Sequence, residues 1–289
     1  MSQALDLWVA LGVMVGLSIA AAVAMHALGA RVGTAARVML LLPIGGLLFA
    51  HLLWLRDAPV WARLLPVTGV PIYANPLPVL SAMVGGLIVS VPELPRWRAL
   101  PLAATIFACG LYPSFHLLRV DPPPVDPRWD LGVALQTSNA SCSPAAAATL
   151  LRTVGIEHDE AQMLAPCLTD RRGTPLLGIY RGLRIATRGT GWAPVAHRVT
   201  LDELAARADA LLPAVVDVKL TAEAVRREPR YVTQWGWTVG QIHSVVFFRR
   251  LPNGWYDVGD PGVGREAWRP DVLGDLWTGD LIGLEREAG

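Results

Sequence analysis

Apolar residues run almost unbroken through Leu7–Leu28, Val38–Leu55, Leu77–Val91 and Leu100–Leu118, and charge is confined to the gaps between these runs. Such runs predict membrane-spanning helices, which need roughly 20 predominantly apolar residues each. The third run is short and carries Gly85 and Gly86, and it reaches spanning length only by borrowing from Val70–Pro78. A re-entrant segment is the alternative there, and three spans in place of four would invert the side on which everything downstream lies. The first run lacks the basic start and small-residue cleavage site of a signal peptide, which predicts a retained helix. After Arg119 the pattern changes. Pro122, Pro123, Pro124 and Pro127 make a stiff extended spacer that ends the last helix. Beyond it, helix-period segments come first and strand-period segments follow, as in an α+β domain whose helices precede an antiparallel sheet. The expected organisation is a multi-pass transmembrane domain over 1–119, a Pro-rich linker over 120–129 and an enzyme domain over 130–289.

Candidate chemistry concentrates in the second part. Cys142 lies just ahead of Pro144 and an alanine-rich run to Leu151, with Gln136 six residues upstream. Ser143 is the expected N-cap and Pro144 the expected first helical residue. A thiol at a helix mouth meets unpaired N–H groups and the positive end of the dipole, which favour thiolate. Gln136 can offer a side-chain N–H to the oxyanion formed when that thiolate attacks a carbonyl. Downstream, Ile242–Arg250 and Trp255–Asp260 read as strands joined by the Asn253-Gly254 turn signal. With a four-residue turn Arg250 faces Trp255, so Asp260 falls opposite Val245 and becomes the diagonal neighbour of His243, on the same face. Asp257 points to the other face.

The segment from about Asp130 to Glu287 resembles family 39 of the cysteine peptidases, the bacteriocin-processing enzymes that cut double-glycine leader peptides and belong to the papain-like superfamily. Cys142, His243 and Asp260 match that family's Cys-His-Asp triad, Gln136 its oxyanion glutamine, and Asp260-Pro261 its Asp-Pro. Arg172–Leu183 looks like the Gly-Thr-Ser segment and short helix that follow the cysteine helix, and Leu276–Asp280 like the closing Trp-x-Gly. Two features depart from the pattern: Ser141-Cys142-Ser143 replaces Asp-Cys-Gly, and no exporter or ATPase is attached. The resemblance implies a papain-like α+β fold, a thiol peptidase acting on a peptide or protein, and a separately encoded exporter as partner.

Composition narrows the rest. Lys and Arg number 25 against 24 Asp and Glu, so no basic field suggests nucleic acid. No Cys-x-x-Cys, His-Glu-x-x-His or phosphate-binding glycine loop is present, which predicts a mechanism without metal or cofactor. Arginines at 31, 37, 96 and 98 flank the first and third loops, and the positive-inside rule then puts both termini and the enzyme domain outside the cytoplasm, in a cell-membrane protein. Exporter-fused members of the resembling family work on the cytoplasmic side, which points the other way. Alternatives to each residue role stand: a Cys142–Cys167 disulfide, packing for Cys109, an ordinary strand histidine at His243, a simple turn at Asp260–Gly264. Arg226–Arg230 with Trp235 and Trp237 reads as a solvated loop in preference to a lip over a groove. The expected function is a membrane-anchored cysteine peptidase; an acyl-transfer or transglutaminase-like enzyme using the same triad, and a silent peptide-binding module, are the rivals.

Overall fold

A computed structural model describes residues 4–234 and 236–287. They fall into two compact units, 4–58 with 69–119, and 59–68 with 120–234 and 236–287. Trp235 lies outside the described residues, so its part in a loop or lip goes undescribed.

In the first unit four helices are long and apolar enough to cross a bilayer: Leu5–Arg31, Thr34–Leu55, Val70–Val89 and Arg96–Arg119. The third reaches 20 residues by stacking the turn Val70–Tyr73 onto Leu77–Val89, so the Pro-rich stretch joins the helix. Its Gly86 lets the backbone press against the first helix, since a Cβ there would collide with the Ala22 carbonyl. Small residues at such crossings permit the close approach on which helix packing in lipid depends.

The second unit is an α+β domain. Strands β1 (Arg128–Asp130) and β2 (Val133–Leu135) form a small hairpin. The main sheet comprises β3 (Trp192–Arg198), β4 (Ala214–Lys219), β5 (Ile242–Arg250), β6 (Tyr256–Asp260), β7 (Gly264–Trp268) and β8 (Trp277–Arg286). Its order is β3-β8-β4-β5-β6-β7, with every neighbouring pair antiparallel. Val216, Val218, Val245, Phe247, Val258 and Leu281 anchor its core. The helices Cys142–Thr153, Glu160–Leu164 and Leu176–Ala186 precede the sheet in the chain. The first of them packs on β5 and is buried over its first ten residues because they are almost all small or apolar.

Residues 59–68, expected to belong with the apolar region, instead group with this domain. The short helix Pro59–Leu64 buries Pro59 and Ala62 and packs on β3 and on the helix Leu176–Ala186.

Candidate active site

The helix that carries the cysteine starts two residues earlier than its sequence suggests. It spans Cys142–Thr153 with Ser141, not Ser143, at the cap position. The Ser141 hydroxyl does not cap the helix; it donates to the Ser138 carbonyl at 2.9 Å and accepts from the Ser138 N–H at 3.1 Å, which closes the preceding loop. Pro144 then sits in the first turn, where the missing N–H has no intrahelical acceptor to lose. Cys142 becomes the first helical residue, and Ser143 is released for another task.

That loop is held from both ends. Glu160, buried, accepts from the Thr137 backbone N–H at 2.8 Å and from its hydroxyl at 2.7 Å, and Thr137 in turn accepts from the Asp126 N–H. The Gln136 backbone N–H donates to the Pro261 carbonyl at 2.8 Å, tying the loop to the β6–β7 turn. One amide N–H of the Gln136 side chain donates to the Ser138 carbonyl at 3.2 Å, and its Oε1 is buried without a partner among the described residues.

On the sheet side, His243 Nε2 lies 2.8 Å from Asp260 Oδ1, with side-chain exposures of 13% and 1%. The same carboxylate oxygen accepts from the Gly262 N–H at 2.7 Å, so the turn after β6 locks its rotamer. The hairpin reaches this pairing by two offsetting shifts. Arg250 faces Tyr256 where a four-residue turn would put Trp255, because the turn is one residue longer, and a bulge at Phe248 then restores the offset so that Val246 faces Gly259. Asp260 is thereby aligned with Val245. Asp257 faces away and accepts from Arg265 at 2.8 and 2.9 Å and from Arg249 at 3.2 Å.

Cys142 and His243 line the same cleft, and each shifts the ionisation of the other. Burial opposes ionisation of the thiol, but the His243 hydrogen bond and charge, the Ser244 backbone N–H and the Ser143 hydroxyl outweigh it and hold the thiol below its ordinary value. Burial likewise opposes the imidazolium, yet the charge and hydrogen bond of Asp260, with Cys142 adding to both effects, raise His243 to about 10. Both directions favour a thiolate–imidazolium pair. Cys167 behaves oppositely: burial pushes its thiol up to about 12, and Cys109, Cys142 and Cys167 are all free, so the alternative of a Cys142–Cys167 disulfide is not formed.

Cys142, His243 and Gln136 line one cleft of ≈ 240 Å³, together with Asn139, Trp237 and Gly262. Three features of the site correct or add to the sequence reading. Trp237 is no solvated loop residue; its ring packs on His243 with centroids 4.5 Å apart, and on Tyr231 and Trp268. Ser143 and Ser244 hydroxyls meet at 2.8 Å, and Ser244 donates to Asp217 at 2.6 Å, all three buried next to Cys142 in the chain or on the sheet it packs against. Glu160 is the third. Asp217 alone left a readable signal, as a carboxylate inside an otherwise apolar strand segment.

No family model matches the chain. It is 26% identical over 155 residues to an uncharacterized protein of Methanothermobacter marburgensis, covering 54% of this chain and 89% of that one. Among solved structures it is similar to a double glycine motif protease from an AMS/PCAT transporter in complex with the leader peptide, at TM-score 0.40 and 15% identity, over 58% of this chain and 96% of that one. It is also similar to the peptidase domain of Streptococcus ComA, a bi-functional ABC transporter involved in quorum sensing, at TM-score 0.41 and 21% identity, over 53% of this chain and 96% of that one.

Proposed function

We propose that this chain is a membrane-anchored cysteine peptidase of the double-glycine leader peptidase type, with Cys142 as nucleophile. The observation that supports it best is the position of His243, which lines one cleft with Cys142 while Asp260 Oδ1 holds its Nε2 at 2.8 Å. A buried carboxylate thus backs an imidazole that shares its cleft with a sulfur. The Cys142 thiolate attacks a peptide carbonyl, and the oxyanion is met by the Cys142 backbone N–H and the second amide N–H of Gln136. The His243 imidazolium gives its proton to the leaving amine as the C–N bond breaks, leaving a thioester. His243 then takes a proton from water, whose hydroxide cleaves the thioester and frees the sulfur. Asp260 keeps the imidazole oriented and stabilises its charged form. A peptide or protein is the substrate, one released beside a membrane fits the anchoring helices, and a separately encoded exporter is the expected partner.

The nucleophile is tested by alkylation and hydrolysis together. Cys142→Ala is expected to abolish both peptide cleavage and iodoacetamide labelling of the cleft, whereas Cys167→Ala and Cys109→Ala keep both. Unchanged cleavage by Cys142→Ala protein overturns the assignment. Transfer of the acyl group to added amines in preference to water identifies the acyl-transfer rival.

A further inference from the structure

On the far side of Trp237 lies a larger cavity of ≈ 690 Å³, to which the chemistry above gives no role. Trp237 lines both spaces. One wall of the cavity is aromatic: Tyr231 and Trp268 stand 5.3 and 6.1 Å from Trp237, ring centre to ring centre. Most of the charge around it is internally matched. Arg227 pairs with Asp275, Arg230 with Glu228, Arg269 with Asp271, and Asp260 with His243. Glu266 is left over: it lines the cavity, accepts the Trp268 indole N–H at 2.8 Å and has no cationic partner among the described residues. Burial raises its carboxyl above the usual range, the Trp268 hydrogen bond works against this, and the nearby Asp260 charge adds to it. A cation in the cavity reverses that tendency, because it supplies the counter-charge that the protein does not.

We propose that this cavity is a specificity pocket for an arginine or lysine side chain of the substrate, on the leaving-group side of the scissile bond, with Glu266 as its counter-ion. The pocket's place in the reaction rests on the peptidase reading. His243 must touch both the sulfur and the departing amine, so the leaving half of the substrate runs along the His243–Trp237 flank, and the cavity opens beyond it. Ring faces attract guanidinium and ammonium groups, most strongly when these are desolvated, and a carboxylate beside them selects charge over mere size. A neutral guest of the same shape leaves the part-buried Glu266 without a counter-charge.

The test uses the full-length protein in detergent and has two arms. In the first, a random peptide library is digested, cut sites are read by mass spectrometry, and the best substrates are resynthesised with citrulline in place of arginine. Arginine or lysine is expected within the first few residues after the cut; citrulline should lower kcat/KM about tenfold or more, and Glu266→Gln should bring the arginine-to-citrulline ratio close to one. In the second arm, N-acetylarginine amide and N-acetylcitrulline amide are titrated against Cys142→Ala protein by ligand-observed NMR. The arginine compound should bind, the citrulline one should not, and Glu266→Gln should remove the difference. Cleavage without cation preference, or binding that ignores charge or Glu266, overturns the pocket. Charge-selective binding lost in Glu266→Gln but accompanied by no cleavage leaves the pocket standing as a binding site and overturns the peptidase reading.

Discussion

The proton inventory of Cys142 and His243 sets what each residue change should do. The thiol lies below its ordinary value and His243 is raised to about 10, so as pH rises the sulfur ionises first and the imidazolium survives well beyond it. Activity should therefore climb through the lowered thiol value, hold above it, and fall as pH passes through the raised histidine value; a kcat/KM profile checks both limbs. His243→Ala removes the charge and hydrogen bond that overcome burial of the thiol. The pH midpoint of Cys142 alkylation should then move upward, with cleavage near background. Asp260→Asn keeps the shape but not the charge behind the imidazolium, and should cost roughly 10- to 1,000-fold in kcat/KM. Asp257→Asn, whose partners are Arg249 and Arg265 on the other face, should change kcat/KM by less than about twofold while lowering stability by about 1 kcal/mol. If Asp257→Asn proves the damaging change, the pairing drawn between β5 and β6 is wrong.

At the scale of elements, the site is assembled by contacts between pieces remote in the chain. Glu160, on the helix Glu160–Leu164, grips the loop that carries Gln136, but it touches neither the sulfur nor the imidazole. Glu160→Gln turns one acceptor into a donor facing a donor, and should loosen the loop without disturbing the Cys142–His243 pair. We expect about a tenfold loss in kcat, the order of one hydrogen bond to a charged group, with the alkylation rate of Cys142 unchanged. Equal losses in both measurements would place Glu160 in general folding stability instead. Ser143 illustrates the same dependence. In the resembling family a glycine follows the cysteine, and here the extra hydroxyl finds a place because Ser244 and Asp217 extend a buried hydrogen-bonded chain to meet it.

For the whole molecule, the grouping of residues 59–68 with the α+β domain bears on topology. If the four apolar helices cross a bilayer, this loop and the domain lie on one side, and an even number of crossings must separate them. Val70–Val89 and Arg96–Arg119 supply two, which argues for a full third span over a re-entrant one. With the arginines around the first and third loops facing inward, reporters joined after Val67 and after Gly289 should both be active in the form that works outside the cytoplasm, and one joined after Gly33 in the cytoplasmic form. Opposite states after Val67 and after Gly289 would mean that the third segment does not span.

The apolar runs, the spacer and the Asn-Gly hairpin were legible in the sequence because they rest on local properties: hydrophobic length, proline stiffness and strand period. So was the gathering of Cys142, His243 and Gln136 at one cleft with Asp260 against His243, since a helix-mouth thiol and an alternating strand place their side chains by rule. The alignment of His243 with Asp260 emerged from the sequence only because a longer turn and a bulge at Phe248 offset each other, and a bulge is decided by what packs on both faces of the sheet. The start of the cysteine helix was misjudged by two residues for a similar reason: Ser141 was drawn into the loop by Ser138, a competition between hydrogen bonds that propensity does not rank. Trp237 over His243, the Ser143–Ser244–Asp217 chain, the Glu160 clasp and the carboxylate of Glu266 among the rings of a side cavity belong to tertiary structure alone. Each joins residues whose separation along the chain carries no local energy, and only the closed fold brings them within reach.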